Sequence, residues 1–306
     1  MAEFDINCLP DLDVAVLAAL ELFAGKKVPC LDLGAYRRPL VVGSGNAAAT
    51  GRILFHDADA VFADESTYGD RLAGVGTIDG AVLISASGTK HAVKIARDLK
   101  ERGIETRLLT CNPNAPAAAF VDADKVFCFD RNREPYTYNT STYLSMILAK
   151  TGENPESILR FLEQEVVPLV PGAAASRYDA FYFLVPARFD AVREMFLTKF
   201  DELFGPLVSA RAFTVEQTKH AKTVVPGDRE MFISLGDRNE LFGDADARLN
   251  VPLPPDADYG AALATGYYLI GRLQSQYPPY FKDNVASYVA RASALFGHAI
   301  SAIVEQ

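Results

Sequence analysis

Short apolar runs alternate along the chain with longer segments whose apolar residues recur at helical spacing. Apolar runs that end in glycine, serine or asparagine predict strands, and the periodic segments predict helices. The predicted strands cover 39–42, 58–63, 80–85, 105–111, 125–130, 181–186, 230–235 and 249–253. The predicted helices cover 12–24, 47–55, 89–102, 117–122, 138–151, 155–167, 189–204, 259–276 and 284–304, with Gly103 as a C-cap residue.

This alternation indicates both the fold class and the division of the chain. Strands that alternate with helices predict parallel, doubly wound α/β sheets with helices on both faces, which is a three-layer αβα arrangement. The stretch 168–176 contains two prolines and a glycine, which is typical of a linker, and the alternation restarts after it. We therefore expect two domains of the flavodoxin type, at 1–167 and 177–306.

The strand at 80–85 leads directly into a helix through the segment 85–90, which reads Ser-Ala-Ser-Gly-Thr-Lys and which we call the cradle. The first turn of a helix has unpaired N–H groups and the positive end of the helix dipole. Hydroxyl groups on Ser85, Ser87 and Thr89 can converge on an anion there, and Gly88 lets the backbone approach it closely. Lys90 adds a positive charge that is unfavourable for the helix dipole, so a bound anion would explain it.

The cradle has a second interpretation, because serine and threonine are common helix N-caps that require no ligand. A second glycine and serine turn, Gly43-Ser44-Gly45-Asn46, ends the strand at 39–42, at the same edge of a parallel sheet. The pair favours anion binding, with Ser44 as a phosphate ligand and Gly45 as an accessory residue. A dinucleotide fingerprint is less favoured because Ala48 replaces its third glycine.

Composition and charge exclude several classes of protein. The 306 residues carry a net charge of −9 and lack the dense basic run that a nucleic-acid groove requires. The N-terminus lacks the basic region of a signal peptide, and no apolar run approaches the roughly 18 residues that span a bilayer. No cysteine pair has metal-binding spacing, and Cys111 and Cys128 are predicted to be buried thiols. We expect a cytoplasmic protein that holds no metal and binds neither nucleic acid nor membrane.

Four segments of the first predicted domain form a combined pattern: Val41-Val-Gly-Ser-Gly-Asn46, Val82-Leu-Ile-Ser-Ala-Ser-Gly88, Leu108-Leu-Thr110 and Asp122-Ala-Asp124. Together they resemble the sugar isomerase (SIS) family, over residues 38–150. The resemblance implies that the cradle holds the phosphate of a phosphosugar, that a divergent second SIS-like domain completes the site, and that the protein is a homodimer. The layout resembles double-SIS proteins such as the bifunctional phosphoglucose/phosphomannose isomerases.

One departure from the family pattern falls within the cradle. The family has Glu or Asn followed by Thr after the Ser-x-Ser-Gly segment, whereas this chain has Thr89 and Lys90. The resemblance therefore implies a phosphate site at 85–90 whose individual donors differ from those of the family.

The segment 214–222 contains residues suited to proton transfer. Aldose–ketose isomerisation moves a proton between C1 and C2, which requires a base and a second group for ring opening. Glu216 and His220 are four residues apart, which places them on one face of a predicted helix, with Lys219 beside them. The segment resembles Glu-Leu-Lys-His-Gly-Pro of the glucosamine-6-phosphate synthase isomerase half, with one residue inserted. This likeness implies Glu216 as the base and His220 as the group for ring opening; a solvated helix face is the alternative.

Two further residues are accessory candidates. Glu65 lies in an acidic and aromatic stretch that, in the family, is near a domain or dimer contact. His298 lies in the last predicted helix, where the bifunctional isomerases have a lysine, although a packed helix histidine is an equal interpretation. These isomerases also have a histidine downstream of the glutamate segment, and the segment 229–236 has none.

The sequence therefore predicts a phosphosugar aldose–ketose isomerase that acts on a hexose 6-phosphate through an enediol and uses no cofactor. Its partner is then a small phosphorylated sugar. One alternative is a deglycase or deaminase on the same scaffold. Another is a non-catalytic phosphosugar-binding regulatory protein, which the missing histidine and lysine favour. The last is an α/β protein with an unrelated anionic ligand.

Overall fold

The computed structural model of the protein describes residues 4–31, 33–34, 36–170, 172–222 and 225–305. The strands are β1 (Pro39–Val42), β2 (Val61–Ala63), β3 (Gly80–Ile84), β4 (Thr106–Thr110), β5 (Val126–Cys128), β6 (Glu134–Pro135), β7 (Ala180–Val185), β8 (Ser209–Thr214), β9 (Glu230–Leu235), β10 (Arg248–Val251) and β11 (Ile303–Val304). The helices are α1 (Leu12–Gly25), α2 (Asn46–Leu54), α3 (Tyr68–Gly74), α4 (His91–Glu101), α5 (Thr140–Thr151), α6 (Pro155–Phe161), α7 (Arg193–Phe204), α8 (Val215–Lys219), α9 (Tyr259–Gln274) and α10 (Tyr280–Phe296).

One compact unit, here called the five-stranded unit, contains Lys26–Arg131 and Thr142–Gly152. Its sheet is parallel and has the order β2-β1-β3-β4-β5, which is the order of flavodoxin. Every residue of β1, β3 and β4 is buried, because helices cover both faces of a doubly wound sheet. The residues of β1 and β3 are apolar or glycine, whereas β4 also buries Thr106, Arg107 and Thr110. The winding direction reverses between β1 and β3, which are hydrogen-bonded neighbours.

The helix after the cradle, α4, is set by its apolar spacing and by its two ends. Its buried residues are Ala92, Ile95, Ala96 and Leu99, a stripe that repeats every three or four positions. At its C-terminus Gly103 has a φ of +70°, and its amide donates to the Lys100 carbonyl at 3.0 Å. The Ile104 amide donates to the Leu99 carbonyl at 3.0 Å, which completes a Schellman motif. The predicted C-cap at Gly103 is confirmed.

The other compact unit, here called the four-stranded unit, contains Met1–Gly25, Asn132–Ser141 and Glu153–Gln306. Its sheet is parallel and has the order β10-β9-β7-β8, so it repeats the winding of the first four strands of the five-stranded unit. The predicted fold class, two doubly wound parallel α/β domains of the flavodoxin type, is confirmed. The sequence analysis missed β8 because this strand lies at the sheet edge and is only partly buried.

Within the four-stranded unit, the N-terminal helix packs against a helix from near the other end of the chain. A Cβ atom at Gly271 of α9 would clash with the main chain of Asp13 in α1. The Leu12 amide donates to the Gln274 side chain at 3.0 Å, and Arg272 forms an ion pair with Asp13 at 3.4 Å. The predicted ranges 1–167 and 177–306 are each continuous in the chain. The compact units are not continuous, because α1, at the start of the chain, packs on α9 and so belongs to the same unit as the last residues.

Three further sequence predictions, besides those discussed with their elements, differ from the structure. The helix predicted at 284–304 ends at Phe296, because Gly297 adopts a left-handed conformation, and Ile303–Val304 then pairs antiparallel with Glu134–Pro135. Cys128 is exposed rather than buried, because β5 is an edge strand, while Cys111 is buried as predicted. The predicted linker 168–176 contains parts of two short helical turns, and Pro171 in it lies outside the described residues.

Candidate anion-binding site

The cradle lies at the carboxyl end of β3, next to the turn that follows β1. Val42 pairs with Leu83 in the last part of both strands, so the two turns leave the sheet side by side. This is the position where the strand order reverses, and open α/β sheets bind ligands in the crevice at such a point. The structure therefore brings the two predicted glycine and serine turns together at one edge of the five-stranded sheet.

The cradle hydroxyl groups are half-buried, and two of them are hydrogen-bonded to each other. Ser87 Oγ lies 2.7 Å from Thr89 Oγ1, and the amide of Thr89 donates to Ser87 Oγ at 3.4 Å. Ser85 Oγ accepts a hydrogen bond from the Gly88 amide at 3.2 Å. The Ser87 and Thr89 hydroxyl groups are thus close enough to contact one ligand atom, while the convergence of all three hydroxyl groups on an anion stays a prediction.

The main-chain carbonyl groups of residues 85–88 all accept hydrogen bonds from the protein. Their donors, in order, are the Gly88 amide at 3.2 Å, the Cys111 amide at 2.9 Å, the Asn112 side chain at 2.9 Å and the Ala117 amide at 2.9 Å. The main-chain amides of Ser87 and His91, by contrast, meet no acceptor among the described residues. A loop whose acceptors are satisfied and whose unsatisfied groups are donors is suited to an anion.

Lys90 and Gly45 hold the same unusual backbone conformation at the start of the two helices. Gly45, the N-cap of α2, has φ 53° and ψ −124°, and Lys90, the N-cap of α4, has φ 52° and ψ −125°. Glycine adopts this region readily, but a residue with a side chain is strained there. The Lys90 side chain is exposed, although partial burial of its ammonium group lowers its pKa. A strained, partly desolvated cation at a helix N-terminus is a common feature of functional sites.

Replacing Lys90 with glycine is expected to stabilise the folded chain while weakening anion binding. Relief of the backbone strain should raise the free energy of unfolding by about 1 kcal/mol, and loss of the cation should weaken phosphate binding by about tenfold. Urea unfolding and phosphate titration measure the two effects. Gly45→Ala is the matched control: its new Cβ meets nothing within 4 Å, so it should lose stability through φ alone. A Lys90→Gly variant that is less stable than the wild type would show that the backbone of Lys90 is not strained.

The turn after β1 places Ser44 and Gly45 at the surface and draws Asn46 inward. Ser44 and Gly45 are both exposed, so each is accessible to a ligand. The Asn46 Oδ1 atom is buried and has no hydrogen-bond partner among the described residues. Sequence reasoning did not select Asn46, although a polar residue at the start of a helix beside the cradle was a usable signal.

The structure places Glu216, Lys219 and His220 at the surface of the four-stranded unit. The helix α8 covers only Val215–Lys219, and His220 follows it with φ −80° and ψ 46°. The prediction that Glu216 and His220 share one helix face is therefore wrong, because the helix ends one residue too early. All three side chains are exposed and form no hydrogen bond or ion pair with the described residues.

The segment around α8 is nevertheless held firmly at its start. Thr214 and Gln217 form a reciprocal capping box, with hydrogen bonds of 3.2 and 3.0 Å. The Gln217 side chain also donates to Asp190 at 3.2 Å, and Asp190 accepts two hydrogen bonds from Arg193. Glu216 is thus presented from an anchored turn.

Glu65 and His298, the two further accessory candidates, belong to different compact units. Glu65 lines an open cavity of about 490 Å³ between α3 and α4, together with Asp70, Lys94 and Arg97. His298 lies beyond the end of α10, where its ring is exposed and contacts Phe296, so the prediction that it lies in the last helix is wrong. Within the described residues, no three His, Cys, Asp or Glu side chains form a group that could hold a metal ion. The same part of the chain contains no helix long and apolar enough to cross a bilayer.

The fold is similar to that of several solved structures of proteins that act on sugar phosphates. Glucosamine-6-phosphate deaminase from Thermotoga maritima is 15% identical, with a TM-score of 0.61 over 87% of this chain and 92% of that one. The C-terminal domain of glucosamine-fructose-6-phosphate aminotransferase from Francisella tularensis is 13% identical, with a TM-score of 0.58 over 87% and 94%. Tagatose-6-phosphate ketose/aldose isomerase from Escherichia coli is 12% identical, with a TM-score of 0.56 over 89% of each chain.

These likenesses concern the three-dimensional fold. At identities of 12–15% they show that this chain shares the fold of those proteins over 87–89% of its length. No family model matches the sequence. No curated protein matches it either.

Proposed function

We propose that this protein binds the phosphate group of a phosphorylated sugar in the cradle and isomerises a hexose 6-phosphate between its aldose and ketose forms. The observation that carries the proposal is the hydrogen-bond pattern of 85–88, in which all the carbonyl groups are satisfied by the protein. The groups that remain available are the Ser87 and His91 amides and the cradle hydroxyls, which can donate to phosphate oxygens. Lys90 supplies a positive charge beside them.

The proposed reaction needs one base and one group that assists ring opening. His220 opens the ring by taking the proton of the C1 hydroxyl and delivering a proton to the ring oxygen. Glu216 then takes the proton from C2 of the aldose and returns it to C1 of the enediol, while one proton passes from the C2 hydroxyl to the C1 oxygen. Both side chains are exposed and form no hydrogen bond with the described residues, so the hydroxyl groups of a sugar meet no competing partner there. The fold is shared with a ketose/aldose isomerase and a deaminase of sugar phosphates, which supports this class of substrate.

A second candidate function is non-catalytic binding of a phosphosugar. The observation in its favour is that the catalytic pair is not preorganised, because α8 ends before His220 and neither side chain has a partner among the described residues. Enzyme sites usually hold their proton-transfer groups with neighbouring hydrogen bonds. In this alternative the cradle keeps its role and Glu216 has none. Deamination or deglycation of an amino-sugar phosphate is the remaining enzymatic alternative.

The test is an assay for interconversion of fructose 6-phosphate with glucose 6-phosphate and mannose 6-phosphate, run beside an assay for ammonia release from glucosamine 6-phosphate. The variants are Glu216→Gln and Ser87→Ala, and Glu165→Gln is the control because Glu165 is an exposed glutamate of the same unit. We expect Glu216→Gln to lower kcat by about 10²–10⁴-fold with binding retained, and Ser87→Ala to weaken binding.

Each outcome selects one interpretation. Turnover that survives Glu216→Gln contradicts the assigned base. Ammonia release without sugar interconversion favours the deaminase. Thermal stabilisation by a sugar phosphate without any turnover favours the binding protein. The absence of both turnover and thermal stabilisation would contradict the phosphosugar assignment itself. The homodimer and the cytoplasmic location stay predictions, and light scattering measures the first.

A further inference from the structure

Two side chains at the end of β4 bind the main chain of the cradle. The Thr110 hydroxyl donates to the Ala86 carbonyl at 3.1 Å, and the Asn112 amide group donates to the Ser87 carbonyl at 2.9 Å. We call Thr110 and Asn112 the β4 clamp. Its contacts join residues 24 and 25 positions apart in the chain, so they depend on the pairing of β3 with β4.

The orientation of the β4 clamp is fixed by further hydrogen bonds. The main-chain N–H of Asn112 donates to Thr110 Oγ1 at 3.2 Å. The Thr110 oxygen therefore accepts from Asn112, while the Thr110 hydroxyl proton is directed to the Ala86 carbonyl. The Asn114 amide donates to Asn112 Oδ1 at 3.0 Å, which leaves the NH₂ group of Asn112 to face Ser87. Thr110 is completely buried. Each clamp side chain therefore has a single orientation in which all of its hydrogen-bond donors and acceptors named above are paired.

The geometry of the peptide bond connects the β4 clamp to the ligand side of the cradle. In a trans peptide the C=O and N–H groups point in opposite directions. The Ala86 carbonyl shares its peptide plane with the Ser87 amide, so drawing that carbonyl toward Thr110 turns the Ser87 N–H the other way. This amide is one of those that meet no acceptor among the described residues. The Cys111 main-chain amide also donates to the Ala86 carbonyl, at 2.9 Å, so Thr110 is the second of two donors that hold this plane. With the Thr110 donor removed, one hydrogen bond remains, and the plane can rotate more easily toward an orientation in which the carbonyl oxygen faces and repels an anion.

We propose that Thr110 and Asn112 are positioning residues for anion binding in the cradle. They act through the main chain of Ala86 and Ser87: they hold the carbonyl groups away from the anion and direct the Ser87 amide toward it. Neither side chain needs to touch the ligand. The inference rests on the proposed phosphate site, and it adds the residues that determine which groups of the loop face the phosphate.

The experiment measures binding of inorganic phosphate and of fructose 6-phosphate by calorimetry, with unfolding measured on the same samples. Thr110→Val keeps the shape of the side chain but loses the donor, and Thr110→Ser keeps the donor. Asn112→Asp still accepts from the Asn114 amide but cannot donate to Ser87. Asn114→Asp adds the same charge at an exposed position of the same loop and is the control.

We expect Thr110→Val and Asn112→Asp each to weaken phosphate binding by about tenfold, the value of one hydrogen bond of ordinary strength. The phosphate affinities of Thr110→Ser and Asn114→Asp should stay within about threefold of the wild-type affinity. In nitrogen-edited NMR spectra, the Ser87 amide of the wild type should shift on phosphate addition, and that of Thr110→Val should not. A purely structural role would lower stability without changing which amide responds.

The outcomes separate this inference from the proposed function. If the wild type binds phosphate and Thr110→Val binds it equally well, the positioning role is wrong and the phosphate site stands. Equal losses in Thr110→Ser and Thr110→Val also overturn the role, because the hydroxyl donor is then not the cause. If the wild type binds neither probe, the proposed function fails and this inference fails with it. If Asn112→Asp does not fold, the Thr110 pair still decides the result.

Discussion

Gly88→Ala is expected to abolish phosphate binding and to lower the free energy of unfolding by about 2–4 kcal/mol. Gly88 has a φ of +61°, where a side chain costs energy, and its new Cβ would clash with the Cβ of Ala115 and lie 3.2 Å from its Cα. The loop cannot easily move aside, because the Gly88 carbonyl accepts a hydrogen bond from the Ala117 amide at 2.9 Å. The cradle would therefore be displaced from the arrangement that offers its donors.

Two variants separate the causes of this effect. Gly103→Ala is the control, because Gly103 has a similar φ of +70° but nothing within 4 Å of the new Cβ, so it should lose about 1 kcal/mol and keep phosphate binding. Adding Ala115→Gly to Gly88→Ala removes the clash and should recover part of the binding. Calorimetry with phosphate and urea unfolding measure both quantities. Binding of wild-type strength in Gly88→Ala would show that the cradle is not the phosphate site.

Lys199→Met is expected to lower the free energy of unfolding of the four-stranded unit by about 3–5 kcal/mol, the usual effect of breaking a buried ion pair. Lys199 lies on α7 and is completely buried. Its ammonium group donates to the Thr137 carbonyl and to Glu202 at 2.6 Å, and it lies 5.6 Å from the centre of the Tyr267 ring. Methionine fills a similar volume, so the loss would come from the charges left behind.

The loss should depend on pH because a buried carboxyl group, Glu134, and a half-buried one, Glu202, face this lysine. Burial raises the pKa of Glu134 and of Glu202 above the ordinary value of 4.5, and Lys199 opposes the rise in both. Without the lysine both pKa values rise further. A raised pKa means that the folded chain binds more protons than the unfolded chain, so the free energy of unfolding falls as pH rises from 4.5 through the folded value.

Urea unfolding at about pH 5 and about pH 7.5 measures this dependence, and the deficit of Lys199→Met should be larger at the higher pH. Lys100→Met is the control, because Lys100 is exposed on α4 and its loss should change stability by no more than about 0.5 kcal/mol. Adding Glu202→Gln to Lys199→Met should recover part of the stability at the higher pH. An equal deficit at both pH values would mean that the carboxyl groups do not depend on Lys199.

Sequence reasoning succeeded where local pattern and local structure agree. The run 80–85 is a buried strand over Gly80–Ile84, and the cradle follows it at the ligand edge of the sheet, because apolar runs between glycine turns leave little alternative. The C-cap at Gly103 was predictable for the same reason, since glycine adopts a positive φ at little cost. The fold class followed from the alternation of such elements.

Sequence reasoning failed where an element depends on distant residues. The sequence predicted a helix at 284–304 that continues through Gly297. In the structure the helix ends at Phe296, the chain turns at Gly297, and the last strand pairs with Glu134–Pro135. The helix α4 begins at His91 rather than residue 89, because Lys90 adopts a backbone conformation that no propensity predicts. Lysine is almost never fully buried, so nothing in the sequence indicated that Lys199 lies in the core.

The sequence by itself determined the parallel α/β class, the buried strand Gly80–Ile84 and the hydroxyl-bearing loop that follows it, because these depend on residues that are neighbours in the chain. The tertiary structure alone decided that Thr110 and Asn112 hold the cradle carbonyls, that α1 packs on α9, and that Glu216 and His220 do not share a helix face. Hydrogen bonds and packing between residues far apart in sequence follow from strand order and helix ends, which local patterns do not specify.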